Sequence, residues 1–431
     1  MIAPLLERAA RRAHAADAVV KTDETVTLTF ESGRLKRTSF AQERGTNLRV
    51  VVDGRMGFAG STAADPDALL ESAFASARLG EEVDLPMPRP SALPAVVTHS
   101  SRAASASVEQ LADLGRVVVD RLSQDGYQIT VTVERSVGSV RAANSAGVDA
   151  SYDVSSVGVM VEVVRIKGDD VLIVGDFLAG TDLPSFATLE GLVSGVRRRL
   201  DWASRSADPV AGSLPICFTP SGSSALLLPL HLACLGKSAL QGISPLADKL
   251  GTTWLDTSFS LSDEPLLDGR SGSRPVDDEG IPSVPLRLIE RGVPRALIYD
   301  LETAGRAGCR PTGHGRRSTF GKPQAAYSNL VVAPGEHDLN GLLGLIDDGL
   351  LVDELLGVGQ GNVIGGAFSH PVALAYRVVK GEVVGRVTDV AVAGNSYELL
   401  RRIAGIGSEQ HWRGSAAIPE IVVADVAVAK R

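Results

Sequence analysis

Apolar and polar positions alternate through much of the first two hundred residues. Val26-Thr27-Leu28-Thr29-Phe30 alternates strictly, the pattern of a half-buried strand. An opening helix is predicted over residues 2–16 and a strand over 46–53, and the stretch 48–58 reads as a hairpin because Asp53-Gly54 supplies the positive-φ residues of a tight turn. Asp65-Pro66 offers an N-cap and a first-turn proline to a helix with Leu69, Leu70, Ala73, Phe74 and Ala77 on one side. Residues 86–106 have no sustained period and read as a surface loop. Ser107 and Gln110 form a capping box for the next helix. Residues 128–135, 137–142 and 157–166 then read as consecutive antiparallel strands. A helix over about 189–203 follows, its Arg197-Arg198-Arg199 run placed on an exposed face.

Between Asp208 and Pro215 the composition turns to Pro, Gly and Ser, which divides the chain into domains 1–208 and 209–431. The second half is expected to open with a strand at 216–218 and a helix over 223–236. A Gly- and Pro-rich region, 242–335, follows, with short strands at 286–290 and 296–300. Later come a helix after Asp338 that ends before Gly349, a helix after Asn395 with Glu398 completing a capping box, and a closing strand over 421–429. The fold class is therefore α+β: two domains with mainly antiparallel sheets flanked by helices, the C-terminal one β-rich.

Composition narrows the function. The chain has 431 residues, a formal charge of −8 and only 4% aromatic residues, which supplies neither the basic footprint nor the stacking platforms of a nucleic-acid binder. Cys217, Cys234 and Cys309 are odd in number and widely spaced, as suits a reducing cytosol rather than a disulfide framework. The N-terminus reaches Glu7 and Arg8 before an apolar signal core can form, and the longest apolar run, 225–235, is too short to span a bilayer. A cytoplasmic protein with no membrane and no nucleic-acid partner is expected.

No P-loop, nucleophile elbow, dinucleotide fingerprint or paired His-Glu zinc motif is present. His231 stands alone on an apolar helix and reads as a packed histidine, because a zinc site needs three or four converging ligands. The densest polar cluster is Cys309-Arg310-Pro311-Thr312-Gly313-His314-Gly315-Arg316-Arg317. Its guanidinium forks suit a carboxylate or peptide terminus, against the plainer reading of a solvated loop that balances nearby acids. Asp277-Asp278-Glu279-Gly280 offers ligands for a hard cation or a substrate amine, or is simply a turn.

The order of several segments resembles the TldD/PmbA family across nearly the whole chain. The carrying pieces are Glu43 to Val50 leading to Asp53 to Phe58, Asp277 to Pro282, Ser328-Asn329-Leu330 with Pro334-Gly335, and Gly349 to Val352. In that family, TldD-like members hold zinc through His-Glu-x-x-x-His on a helix and a later cysteine. Here the matching helix has Leu232 after His231 and Gly236 where the second histidine would fall, and the matching segment 355–366 has no cysteine.

The chain thus resembles the PmbA/TldE type. The resemblance implies a non-zinc-binding subunit, not catalytic on its own, that forms a heterodimer with a TldD-like zinc metalloprotease. The complex would process or degrade small or unfolded peptides. No metal and no cofactor is expected in this chain, with zinc in the partner. Arg310, His314, Arg316 and Arg317 are the candidate substrate-binding residues, and replacing both Arg316 and Arg317 with Ala is expected to raise KM while leaving dimerisation intact. Two alternatives stand beside this: a non-proteolytic homodimeric binding or scaffold protein, and a zinc enzyme using an unfamiliar set such as His231, Cys234, Cys309 and His314.

Overall fold

The computed structural model describes residues 2–431. Its first layer is a six-stranded, wholly antiparallel sheet in the order β3-β2-β1-β4-β5-β6. The strands are β1 (Ala15–Glu31), β2 (Arg34–Val52), β3 (Arg55–Ser61), β4 (Tyr127–Asn144), β5 (Asp149–Lys167) and β6 (Asp170–Gly180). The expected Asp53-Gly54 turn joins β2 to β3, with φ of 50° and 73°. Several strands are far longer than the alternation alone suggests. Residues 128–135 and 137–142 belong to one strand, because β1 and β5 pair on both sides of Arg135-Ser136 and carry the ladder through. The opening helix stops at Ala10, since the sheet claims the chain from Ala15.

Strand alternation divides the sheet into two faces with different work. On one face Val26, Leu28 and Phe30 of β1 join Val131, Val133, Val159, Val161 and Val174 beneath the helices Val108–Leu122 and Phe186–Trp202. Ala16, Ala18, Leu48 and Val50 lie on the same face beneath Ile2–Ala10 and Pro66–Ala77. The predicted caps are in place: Asp65 accepts from Asp67 N and Ala68 N, and Ser107 forms its box with Gln110. The other face carries Asp17, Lys21, Asn47 and Arg49, which meet the second half of the chain.

That second half contains a closed ring of five strands. Gly212–Phe218 pairs with Ile421–Lys430, then Val390–Asn395, Ala367–Val379 and Asp348–Leu355 follow, and the last returns to the first through a parallel pairing. A second six-stranded sheet, built from short strands such as Leu261–Asp263, Leu286–Glu290 and Leu330–Val332, packs with it around Phe218, Leu226, Leu230 and Phe259. The strand expected at 296–300 is instead an approach to the helix Leu301–Ala307, because Asp300 is that helix's N-cap. The helix expected over 223–236 ends at Ala233 and a separate short helix begins at Gly236. The element after Asn395 is one turn, Ser396–Leu399. Asn395 caps it through Tyr397 N and Glu398 N.

Candidate functional site

The sequence motifs converge on a buried ionic junction between the two halves. Arg49 donates to both Asp17 oxygens, at 3.0 and 2.5 Å, and to Glu279 Oε1 at 2.8 Å. Arg317 also pairs with Asp17. Lys21 Nζ reaches Asp278 Oδ2 and the Arg317 carbonyl, each at 2.7 Å, and Arg317 N donates to the same Asp278 oxygen. Burial pushes Asp17 upward, yet the Arg317 and Arg49 guanidiniums outweigh it and hold the carboxyl below the usual range. Glu279 goes the other way: burial, and the adjacent Asp277 carboxylate, push it up to about 7 against the pull of Arg49. The Asp277-Asp278-Glu279 cluster is a turn whose acids all bond to protein groups, with Asp278 Oδ1 alone left without a partner among the described residues. Asp277 accepts from Glu279 N, Ile281 N and Gly315 N, and Glu279 Oε2 accepts from Leu301 N.

The four loop residues read as substrate contacts have different places. Arg310 is exposed. His314 is 1% exposed, with Nε2 3.0 Å from Asp263 Oδ2 and Nδ1 2.8 Å from the Thr312 carbonyl. Arg316 lies against Asp278 and Tyr152, and Arg317 is shut into the junction. Arg317 meets Asp17 through Nη2 alone, and its buried Nε and Nη1 have no hydrogen-bond partner among the described residues, so His314 and Arg317 each hold a buried carboxylate in the folded chain.

Two clefts lie elsewhere, along the outer strand β6. One, of about 720 Å³, is walled by Phe186–Trp202, the loop at Arg270 and the segment 409–413. The other, of about 660 Å³, is walled by Met160 and Ile173 on the open sheet face and by the helix Ser224–Ala233 opposite. They share Asp176, Phe177, Pro220, Ser221, Asp353 and Arg413. Arg199 sets this shared region: its guanidinium reaches Asp176 at 2.5 Å, Asp353 at 3.2 Å and the Gly175 and Gly195 carbonyls at 3.1 Å. Arg413 holds the other Asp176 oxygen at 2.9 Å. Reasoning from sequence missed these residues, which come from segments far apart. The run 197–199, read as one exposed face, divides: Arg197 donates to the Arg121 carbonyl, Arg198 lines the larger cleft and Arg199 is buried.

On the helix Ser224–Ala233, residues Ser224, Leu227, Leu228 and His231 face the smaller cleft at helical spacing. The glycine-rich segment lies alongside, since the Tyr397 hydroxyl sits 2.7 Å from the Ile364 carbonyl and 3.0 Å from the Pro229 carbonyl, with one proton to share between them. These are the two places from which the resemblance would draw zinc ligands, and the residues there do not fit the metal. Only His231 carries a donor of the right kind. A Cβ at Gly236 would stand 2.2 Å from the Tyr299 ring, so no side chain can replace the missing histidine without moving it. Among the described residues, no group of three or more His, Cys, Asp or Glu is arranged to hold a metal ion. Burial drives the His231 pKa down to about 4. A free histidine near 6.5 binds a proton in the unfolded chain where the folded chain does not, so stability falls as pH drops from 6.5 toward 4. Denaturant melts at pH 7 and pH 5 should show a loss in the parent that is smaller in His231→Gln.

Comparison with known proteins places this architecture. Residues 211–430 match the PmbA/TldA metallopeptidase C-terminal domain and residues 16–77 match domain 1 of the same family. The chain belongs to the PmbA/TldA metallopeptidase family. A metalloprotease of Methanothermobacter thermautotrophicus is 26% identical over 411 residues, covering 92% of this chain and 89% of that one. One from Archaeoglobus fulgidus is 24% identical, covering 89% of each. The crystal structure of TldE from Thermococcus kodakarensis superimposes with a TM-score of 0.89 at 25% identity over 99% of both chains. No described helix is long and apolar enough to cross a membrane.

Proposed function

We propose that this chain is the subunit without zinc in a cytoplasmic two-chain metalloprotease. In this reading it forms a heterodimer with a TldD-like chain and contributes a wall of the cavity in which small or unfolded peptides are processed or degraded. The observation that carries the reading is the pairing of an open cleft with an empty donor set. The helix Ser224–Ala233 and the segment beside it still face a cavity of about 660 Å³, yet offer His231 alone where a zinc site needs three protein ligands. Similarity in fold to a TldE supports the same assignment.

The residues of this chain then bind and orient. Leu227, Leu228, Leu355 and Ile418 give the cleft an apolar wall that takes side chains out of water. Arg199 and Arg413 fix Asp176, and Arg199 fixes Asp353, which keeps the cleft floor rigid. The test is copurification with a TldD-like chain, followed by zinc content and peptide cleavage on the complex and on this chain alone. A stable homodimer that binds peptides, recruits no such partner and supports no cleavage would favour a scaffold role instead.

A further inference from the structure

Two arginines in the larger cleft have no acidic partner among the described residues. Arg270 lies over the Trp412 indole, 4.0 Å from its centroid, and Arg198 lies over Trp202 at 5.4 Å. Both line the same cavity of about 720 Å³, from opposite elements. Among the described residues neither guanidinium donates a hydrogen bond or forms an ion pair, whereas the neighbouring Arg199 and Arg413 are both paired with Asp176. Arg270 is partly buried, a position in which an uncompensated cation is costly and a bound anion is favoured. The indole faces hold both forks without consuming their N–H donors.

The surrounding charges limit which anion fits. Glu409 stands exposed at the rim, and Asp353 and Glu420 lie deeper in the same cleft. These acids repel a phosphate chain or a polyanion more than a single carboxylate, the group that guanidinium forks match in bidentate fashion. The cleft also runs into the apolar one through Phe177, Pro220 and Arg413. An extended ligand can therefore place apolar side chains against Leu227 and Leu228 and a carboxylate beyond them.

We propose that Arg198 and Arg270 form a carboxylate subsite, so that the peptides this chain receives carry either a free C-terminal carboxylate or an acidic side chain next to an apolar stretch. The inference rests on the peptide-handling reading above and names the substrate class for it. It assigns selectivity to this subunit rather than to the metal-bearing one.

The test uses the full chain, alone and in the reconstituted complex, with three probes: acetyl-Leu-Leu-Leu with a free C-terminus, its C-terminal amide, and acetyl-Leu-Asp-Leu amide. Binding is followed by calorimetry and by the fluorescence of Trp202 and Trp412. One of the two carboxylate-bearing peptides should bind at least about tenfold more tightly than the neutral amide, and which one does so identifies the source of the carboxylate. In the Arg198→Gln/Arg270→Gln variant that ratio should fall to about one, with affinity for the amide and the melting midpoint unchanged, and the double Lys variant should recover part of it. Equal affinity for all three probes, no measurable binding of any, or preference that survives in the Gln variant overturns the subsite. The two readings fail separately. Carboxylate preference without a zinc-bearing partner would sink the subunit assignment alone, and a working complex indifferent to the carboxylate would sink the subsite alone.

Discussion

Arg49→Met should unfold the junction between the two halves at denaturant concentrations that leave the parent intact. Arg49 is fully buried and, among the described residues, is the only cation that touches both Asp17 and Glu279. Removing it leaves Glu279 with the Leu301 amide alone and Asp17 with Arg317 alone. Breaking a buried pair from one side costs roughly 3–5 kcal/mol, because the charge left behind has already lost its water. Arg49→Lys should lose less, since it keeps the charge and gives up only the fork. Equilibrium denaturation of the three proteins gives the order parent, Lys, Met; a Met variant within about 1 kcal/mol of the parent would show that the junction contributes little. Acid should act on the same contacts. Asp17 and Asp278 are held below 3.8 in the folded chain, so their contribution is complete above that value and is lost as pH falls through their lowered pKa values.

His314→Leu should be the second large effect, and it separates a structural role from a substrate role for the loop at 309–317. Asp263 is wholly buried and accepts from His314 and from Ser328 N at 2.7 Å. Leucine keeps most of the volume and removes the polar partner, so the carboxylate loses one of its two contacts at a cost of about 2–3 kcal/mol. The melting midpoint should fall while KM for peptides in the complex stays within a factor of about two, a difference below 0.5 kcal/mol. An unchanged midpoint with a raised KM would return the residue to the substrate. The same logic applies to Arg317: its side chain is sealed against Asp17, so its loss reaches stability before it reaches any ligand.

What was legible in the sequence was local. The Asp53-Gly54 turn, the Asp65 cap and the Ser107–Gln110 box depend on a few adjacent residues and appear as read. Strand lengths were not legible, because the polar Arg135-Ser136 interruption is bridged by partners on both sides of β4. The helix over 223–236 broke early because the chain turns at Cys234 to pack Gly236 against Tyr299. That position 236 is a glycine and that the segment 355–366 has no cysteine could be read from sequence, since residue type is a property of single positions. The partners of the charged motifs could not. Asp17, Arg49, Glu279 and Arg317 are complementary in charge, but nothing in their spacing shows that they meet in one buried junction. Arg198, Arg270 and Trp412 likewise become a site only when three distant segments close one cleft.

The central claim is most directly tested by elemental mass spectrometry of the purified chain, alone and after copurification with a TldD-like partner, with peptide cleavage assayed on both samples. The account predicts no stoichiometric zinc and no cleavage from the chain alone, and zinc with chelator-sensitive cleavage from the complex. Stoichiometric zinc and chelator-sensitive cleavage in the isolated chain would contradict it, because His231 would then have to belong to a ligand set that the cleft does not provide.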